Sequence, residues 1–342
     1  MIVPALQGNE SSVSVAHKVL GAFGQPFKIK GMNINLSTSI GISLYPQDGK
    51  NSKELLRNAD LAMYHAKERG GEQFRFYTQT LDQQGQMQLS YTSELKNGLA
   101  ENEFYLLYQP QWHVKQHRLL SAEALIRWHH PDRGVILPMD FIPEAENSGL
   151  ITPIGEWVIH EACKQHLAWK ALNLPPIRVA INISFQQLRQ YNFASNLRHI
   201  LQEYRIKQHY IELEITENML LLHQESLYVI KELKELGVRV VLDDFGSAHS
   251  SLNYLRKLNI DGLKIAPSFV KNISLNQSDE VIIKAIIAMA KSLGFEVIAQ
   301  GVESATQKEF LREQQCDGLQ GYHFSEPLAA DQATQIFQKA VT

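Results

Sequence analysis

The sequence is poor in cysteine and in long apolar runs, and each shortage excludes a class of protein. Two cysteines in 342 residues are too few for a disulfide framework and form no zinc-binding motif. No apolar stretch approaches the roughly 18 to 20 residues of a membrane-spanning helix. The N-terminus also lacks the basic and apolar blocks of a signal peptide. The sequence therefore predicts a soluble, cytoplasmic protein.

The chain also has little net charge. A formal charge of -3 argues against a protein that holds nucleic acid by bulk electrostatics, so we expect no DNA or RNA partner. Any nucleotide ligand would need a local site. The phosphate-binding turn GxGxxG is absent after every strand-like run, which disfavours the alternative of an open, doubly wound sheet.

Two regions differ in their sequence pattern. Residues 1–79 combine helical stretches with short strand-like runs, as in a small α+β unit, and the Gln-rich segment that follows indicates a helical linker. From residue 94 onward, short β-rich runs alternate with longer amphipathic stretches. We predict an N-terminal unit at 1–79, a linker at 80–93, a main domain at 94–332 and a C-terminal end at 333–342.

Eight strand-like runs in the main domain favour an α/β fold of the TIM-like (β/α)8 barrel type. Helices predicted between them end before Gly237 and Gly294, since glycine is the usual C-terminal signal. The eight predicted strands are residues 104–110, 122–128, 178–184, 210–216, 239–245, 262–266, 296–302 and 318–324.

Polar residues recur at the ends of these strands, where barrel enzymes build their active sites. A single carboxylate there is usually only solvated, and Asp244 is also a candidate helix N-cap. A cluster of them would repel unless cations neutralise it, and oxygen ligands favour Mg²⁺ or Mn²⁺ over Zn²⁺. We interpret His129, His130 and His249 as loop or surface residues rather than metal ligands. The polar positions are Glu123, Asn182, Glu214, Glu217, Asp243, Asp244, Lys264, Glu303 and Gln320.

The adjacent aspartates of the segment VVLDDFG suit two-metal hydrolysis of a phosphoester. In that arrangement one aspartate bridges two cations while its neighbour holds the second. Lys264 would then face the substrate phosphate or the attacking water as a point charge.

The same residues resemble a known family. AEALIRW (122–128), NIS (182–184), ELEITE (212–217), DDFG (243–246), LKI (263–265), GVE (301–303) and QGYHFSEP (320–327) are similar to the EAL domain, the bacterial cyclic di-GMP phosphodiesterase module. The resemblance spans about residues 88–332. It implies a TIM-like barrel whose first strand is antiparallel, hydrolysis of cyclic di-GMP to pGpG with Mg²⁺ or Mn²⁺, and a homodimer.

The resemblance also implies roles for single residues. Metal ligands would be Glu123, Asn182, Glu214, Asp243 and Asp244, with Asp243 shared between two cations. Lys264 would position the water and the phosphate, Glu217 would tether the loop after DDFG, and Glu303 and Gln300 complete the candidate catalytic set. The dinucleotide would be contacted by Gln109, Leu125, Arg127 and Gln320.

Residues 37–49 (STSIGISLYPQDG) and 55–77 resemble the C-terminal half of a GGDEF domain, the diguanylate cyclase module. The signature turn is missing, so this fragment is not expected to be a cyclase. The resemblance leaves a sheet with an unpaired edge, where pairing with another copy is expected.

Three departures from the EAL pattern bear on activity. Gln300 replaces the glutamate of AEGVE, Ala266 replaces the aspartate of LKID, and residues 247–249 replace Thr-Gly-Tyr. Loss of a base costs about 10²- to 10⁴-fold in rate. Two hypotheses therefore stay open: a phosphodiesterase with reduced turnover, and a degenerate domain that acts as a cyclic di-GMP receptor or interaction module. Retention of the metal ligands and Lys264 favours the enzyme.

Overall fold

The structure is a computed structural model that describes residues 2–3, 9–24, 26–29, 32–34, 36–68, 71–116, 118–221, 226–246, 255 and 259–340. Its internal contacts divide the chain into two compact units, Met1–Glu94 and Leu95–Thr342. The domain boundaries at residues 79, 93 and 332 stay predictions. Within the described part of the chain, no helix has the length and hydropathy that crossing a bilayer requires.

The first unit contains small two-stranded sheets and helices. Its elements are α1 (Asn9–Phe23), β1 (Phe27–Ile29), β2 (Met32–Ile34), β3 (Ile40–Ile42), α2 (Ser52–Glu68) and β4 (Phe74–Phe76). Strands β1 and β2 pair antiparallel, whereas β3 and β4 pair in parallel. Helix α2 lies so close to β3 that a Cβ on Gly41 would be 1.8 Å from the carbonyl oxygen of Ala59, so only glycine fits there. The predicted helical linker is helical, as α3 (Gln79–Ala100).

The second unit is built on a sheet of mostly parallel strands. They are β5 (Phe104–His113), β6 (Leu119–His130), β7 (Gly134–Ile136), β8 (Arg178–Asn182), β9 (Ile211–Thr216), β10 (Arg239–Phe245), β11 (Gly262–Ile265), β12 (Glu296–Ala299) and β13 (Gly318–Leu319). Eight of them close a barrel in the order β5-β13-β12-β11-β10-β9-β8-β6, with β6 returning to β5. Strand β5 is antiparallel to both of its neighbours. The predicted barrel and its antiparallel first strand are thus confirmed.

Helices cover the outside of this barrel. They are α4 (Pro138–Asn147), α5 (Ile151–Ala171), α6 (Phe185–Leu188), α7 (Phe193–Glu203), α8 (Glu217–Leu221), α9 (Ser226–Leu236), α10 (Pro267–Lys271), α11 (Gln277–Ser292), α12 (Ala305–Glu313) and α13 (Ala330–Lys339). Helices α9 and α11 end just before Gly237 and Gly294, as predicted. The main hydrophobic core lies between the sheet and these helices, with Leu213, Val240 and Leu263 fully buried.

The last two strands are shorter than predicted. The sequence pattern predicts residues 296–302 and 318–324, but the ladder ends at Ala299 and Leu319. The two following loops pack on each other instead: Val302 donates its N–H to the carbonyl of Gln320 at 3.0 Å. A Cβ on Gly321 would lie 2.2 Å from the carbonyl oxygen of Val302. Polar residues of both loops consequently lie beyond the strand ends, at the mouth of the barrel.

Charged residues close the opposite end of the barrel. Arg239 donates to Glu212 Oε2 at 3.0 Å and to Glu296 Oε2 at 2.6 Å. Arg178 reaches the same two oxygens at 3.5 and 3.2 Å. We call these four residues the basal charge cluster. Since all four begin or nearly begin a parallel strand, the cluster joins strands β8, β9, β10 and β12 at their amino ends.

Candidate active site

Polar side chains collect at the carboxyl ends of the parallel strands. Glu123 lies in β6, Asn182 ends β8, Glu214 lies in β9, Asp243 in β10 and Lys264 in β11. The register places Asn182 opposite Glu214. Because alternate residues of a barrel strand face the interior, the five side chains converge at one mouth.

Lys264 lies at the centre of this cluster and is fully buried. Its Nζ is 2.7 Å from Glu123 Oε2, 2.7 Å from Glu214 Oε1 and 3.7 Å from Asp243 Oδ1. Asn182 donates to the other oxygen of Glu123 at 2.8 Å. With all three carboxylates ionised, the carboxylates and the ammonium would together carry a net charge of -2. One divalent cation would balance that charge.

Burial and charge shift the pKa values of the cluster in different directions. Burial, followed by repulsion from Glu123, raises the pKa of Glu214 well above its ordinary value. Burial alone would raise the pKa of Glu123, but the charge and hydrogen bond of Lys264 lower it. Burial would likewise lower the pKa of Lys264, yet the neighbouring carboxylates outweigh it and raise that pKa well above the ordinary value. The neighbouring carboxylates therefore favour the protonated form of Lys264.

The adjacent aspartates lie at a β-bulge. Leu242 pairs with Leu263, whereas Phe245 pairs with Ile265, so β10 contains one more residue than β11 over this stretch. Asp244 has a φ of 54°, which is uncommon for a residue other than glycine. In an unbroken strand the two aspartates would point to opposite faces. The bulge frees Asp244 from that alternation, as bulges beside active sites often do.

Two oxygens of the cluster fit a cation. Glu214 Oε2 and Asp243 Oδ1 are buried and have no hydrogen-bond partner in the described residues. Buried oxygens of this kind usually face an ion or water, and with Glu123 and Asn182 they form a donor set for a hard divalent cation. However, no group of three Asp, Glu, His or Cys side chains in the described residues has metal-binding geometry. The ammonium of Lys264 lies between the carboxylates, so a cation requires them to turn away from it.

An open cavity of about 330 Å³ adjoins the cluster. Its volume is within the range of small-molecule sites. Pro267 and Tyr322 also line it, and the sequence analysis did not identify either of them. The cavity brings together six of the predicted site residues: Gln109, Glu123, Leu125, Gln300, Glu303 and Gln320.

Arg127 and Glu217 lie neither in this lining nor in the carboxylate cluster around Lys264, as far as the described residues show. Arg127 is half-buried and donates to the backbone carbonyl of Ile126 at 2.8 Å. Glu217 is buried at the start of α8, where its Oε2 accepts the backbone N–H of Gly246 at 3.2 Å. Glu217 is thus hydrogen-bonded to the last residue of DDFG, directly before the segment that follows.

Of the three departures from the EAL pattern, two lie in described residues, at Gln300 and Ala266. Gln300 lines the cavity, and its backbone N–H donates to Ile265 at 3.2 Å, which places Gln300 beside Ala266. Ala266 is 1% exposed and occupies the N-cap position of α10, where alanine provides no capping oxygen. The third departure, at residues 247–249, lies outside the described residues, as does the prediction for His249.

The other two histidines considered in the sequence analysis, His129 and His130, differ in burial. His129 is exposed, as predicted. The prediction that His130 lies at the surface is wrong, because its ring is buried and packs edge-on against Trp128 at 5.1 Å. Its Nδ1 accepts the backbone N–H of Asp132 at 3.1 Å, so it stabilises the turn that follows β6.

Gln111 and Ser121 are buried site neighbours that the sequence analysis missed. Gln111 Nε2 donates to Gln320 Oε1 at 3.0 Å and more weakly to Glu214 Oε1 at 3.4 Å. Ser121 donates to Gln111 Oε1. One signal was available, since Gln111 follows Gln109 by two residues and must share its face of the strand.

A TIM-like barrel with carboxylates, an amide and a lysine at one mouth is the architecture of an EAL domain. The EAL domain model matches residues 92–327, and the model of the GGDEF domain, described as a diguanylate cyclase, matches residues 1–73. The chain belongs to the EAL domain family and carries a GGDEF fragment before the barrel.

Relatives and solved structures agree with this assignment. The signaling protein YkoW of Bacillus subtilis is 40% identical over 98% of this chain and 42% of its own length. The cyclic di-GMP phosphodiesterase PdeR of Escherichia coli is 38% identical over 93% of this chain and 48% of its own. The solved PaMucR phosphodiesterase in complex with c-di-GMP has a TM-score of 0.69 and 34% identity, over 71% of this chain and 99% of that one. The chain spans less than half the length of these two curated relatives.

Proposed function

We propose that this chain binds cyclic di-GMP at the mouth of the barrel and hydrolyses it to pGpG with Mg²⁺ or Mn²⁺, at a reduced rate. The observation that carries the proposal is the convergence of Glu123, Asn182, Glu214 and Asp243 beside an open cavity, where two buried carboxylate oxygens have no hydrogen-bond donor among the described residues. The relative PdeR, a cyclic di-GMP phosphodiesterase, and the solved complex of PaMucR with c-di-GMP support the choice of cyclic di-GMP.

The cation would be held by Glu123, Asn182, Glu214 and Asp243, with Asp244 as a further ligand beyond the bulge. When bound, a divalent ion supplies Lewis-acid polarisation of a phosphoryl oxygen and lowers the pKa of bound water. To bind it, Glu214 must give up any proton that its raised pKa favours. The carboxylates must also share their charge between the ion and Lys264.

Lys264 would act as a fixed positive charge near the phosphate and the hydrolytic water. Its ammonium is fully buried and stays protonated, since the neighbouring carboxylates raise its pKa. It therefore orients and stabilises, and it does not take the proton from water. Glu217 would hold the segment after DDFG through its bond to Gly246.

The dinucleotide would be contacted by Gln109, Leu125 and Gln320 in the cavity. Arg127 would have to leave its bond to the carbonyl of Ile126 to reach a phosphate or a guanine. Its planar guanidinium suits bidentate contact with either group. Glu303 completes the rim of the cavity on the side of Gln300.

Gln300 and Ala266 are the reason to propose a reduced rate. The neutral amide of Gln300 can neither accept a proton nor balance cation charge at the place where it lines the cavity. Ala266 removes a second carboxylate beside it. The same two residues favour the alternative function, a cyclic di-GMP receptor without turnover.

Release of pGpG separates the two functions. Purified chain is incubated with cyclic di-GMP and Mg²⁺ or Mn²⁺, with Glu123→Gln as the negative control, and ligand affinity is measured in parallel by calorimetry. We expect slow turnover by the native chain in at least one metal and none by the variant. Tight binding without turnover in either metal would leave the receptor. Homodimerisation stays a prediction, which light scattering of the same preparation tests.

A further inference from the structure

Beneath the cavity lies a chain of buried amide groups. We infer that Gln111, oriented by Ser121, is a positioning residue that fixes the amide of Gln320 and through it the carboxylate of Glu123. The inference rests on the proposed function, because Gln320 and Glu123 are the groups proposed to meet the dinucleotide and the cation.

Strand register brings these residues together. Gln111 in β5 lies directly opposite Ser121 in β6, and Gln109 lies opposite Glu123 on the same two strands. Gln111 and Ser121 are both fully buried. Because residues two apart share a face, Gln111 and Ser121 form the layer of the barrel interior directly below Gln109 and Glu123.

The hydrogen bonds of this layer have a determined direction. The backbone carbonyl of Ser325 can only accept, so Gln109 Nε2 must face it, at 3.1 Å. Gln109 Oε1 then accepts from Gln320 Nε2 at 2.9 Å, and the same nitrogen donates to Glu123 Oε2 at 2.7 Å. The orientation of Gln320 is therefore set by acceptors that cannot reverse their role.

The same direction continues to Gln111. Gln320 Oε1 points away from Glu123 and accepts from Gln111 Nε2 at 3.0 Å. Gln111 Oε1 is left to accept, and the hydroxyl of Ser121 donates to it. Gln111 Nε2 also reaches Glu214 Oε1 at 3.4 Å. One buried amide thus supports both carboxylates that hold Lys264.

Removal of Gln111 would leave the carbonyl of Gln320 buried without its donor. The Gln320 amide could then rotate, and Glu123 would lose a fixed hydrogen bond of 2.7 Å. Outer residues that orient metal ligands typically change metal affinity or activity by about 10- to 100-fold when they are mutated. If Gln111 only filled the core, its removal would lower stability and leave the metal affinity of the site unchanged.

Calorimetry with Mn²⁺ alone tests the inference on the full chain. Gln111→Met keeps the length of the side chain and removes its hydrogen bonds, and we expect Mn²⁺ to bind about 10-fold more weakly or worse. Ser121→Ala removes only the orienting donor, and we expect a loss of about 5-fold. Leu106→Ala is the matched control: it lies in the same strand with its side chain in the outer hydrophobic core, so it should lower the unfolding midpoint without changing Mn²⁺ affinity.

Coupling to Gln320 provides the second measurement. If Gln111 acts through Gln320, adding Gln111→Met to a Gln320→Met variant should weaken Mn²⁺ binding by less than about 2-fold. Should Gln111→Met fail to fold, Ser121→Ala decides alone. Native Mn²⁺ affinity in both Gln111→Met and Ser121→Ala would overturn the inference while leaving the proposed function intact. A native chain that binds neither Mn²⁺ nor Mg²⁺ would overturn both.

Discussion

Lys264 is fully buried among three carboxylates. Its ammonium is bonded to Glu123 and Glu214 at 2.7 Å each and lies 3.7 Å from Asp243. Breaking a buried ion pair by removing one partner costs far more than the pair contributes, because the remaining charge is left uncompensated. At this position the remaining charge is also the charge that a cation would use.

Lys264→Met should therefore lower the free energy of unfolding by about 3 kcal/mol in the presence of a chelator. Added Mg²⁺ should restore part of that loss, since the ion replaces the missing positive charge. Urea unfolding with and without Mg²⁺ measures both effects. Lys231→Met, which removes an exposed pair with Glu235, should change stability by less than about 0.5 kcal/mol. Equal stability of the native chain and Lys264→Met would contradict the assigned ion pairs.

Gln300 and Ala266 are the residues at which turnover should be recoverable. Gln300→Glu combined with Ala266→Asp is expected to raise pGpG release at least 10-fold, which is less than the roughly 10²- to 10⁴-fold that a well-placed general base contributes. Because Ala266 is the N-cap of α10, Ala266→Asp alone also has a structural effect of about 1 kcal/mol through capping. Unfolding curves of each single variant separate the two effects. An unchanged rate in the double variant would mean that these positions are not the defect.

At the scale of elements, the barrel is held at both ends by charge. The basal charge cluster joins four strands at their amino ends, and Glu212 within it is fully buried. One of its oxygens, Oε1, has no hydrogen-bond partner in the described residues. The ion pairs of Glu212 with Arg239 and Arg178 both involve its other oxygen, Oε2. The strand ends opposite the active site therefore depend on these arginines.

Arg239→Met should destabilise the chain by about 3 kcal/mol, since it leaves the buried Glu212 with only Arg178, at 3.5 Å, as a cationic partner among the described residues. Thermal or urea unfolding measures the change. The matched control is Arg312→Met, whose pair with Glu309 is exposed, and it should cost less than about 0.5 kcal/mol. A similar small cost for both variants would show that the basal charge cluster contributes little.

Element types were predictable where a periodic pattern decided them. Each of the eight predicted strands corresponds to an observed one, and the helix predicted to end before Gly237 is Ser226–Leu236. Strands β12 and β13 were predicted too long, because the contact between Val302 and Gln320 is a loop pairing that no local pattern contains. The short strand β7 was missed for a similar reason, since only its pairing with β6 defines it.

The residues of the site were predictable by type, but their partners were not. Carboxylates at strand ends predicted a cluster, and Glu123, Glu214 and Asp243 do surround Lys264. That Lys264 pairs with them, instead of facing open solvent, follows from register across four strands. Position at a strand end was the signal that predicted the polar site residues. Gln111 was missed because it lies within β5.

At the scale of the whole molecule, the burial of both cysteines provides a test of the fold. Cys163 and Cys316 are buried, and burial raises the pKa of each thiol to about 12. The reactive thiolate is therefore scarce at neutral pH. Burial also blocks access by reagents.

We expect neither thiol to react with a maleimide in the folded chain at pH 7, and both to react in denaturant. Mass spectrometry of the labelled chain counts the modified sites. Tyr228→Cys provides a positive control, because Tyr228 is 67% exposed. Rapid labelling of either native cysteine without denaturant would contradict its placement in the core.

The most direct test of the account is a crystal structure of this chain grown with Mn²⁺ and cyclic di-GMP, with anomalous scattering recorded at the manganese edge. The account predicts at least one manganese peak at the carboxylates of Glu123, Glu214 and Asp243, with the dinucleotide in the adjoining cavity. A barrel mouth without manganese or dinucleotide, in which Lys264 still lies between Glu123 and Glu214, would contradict it.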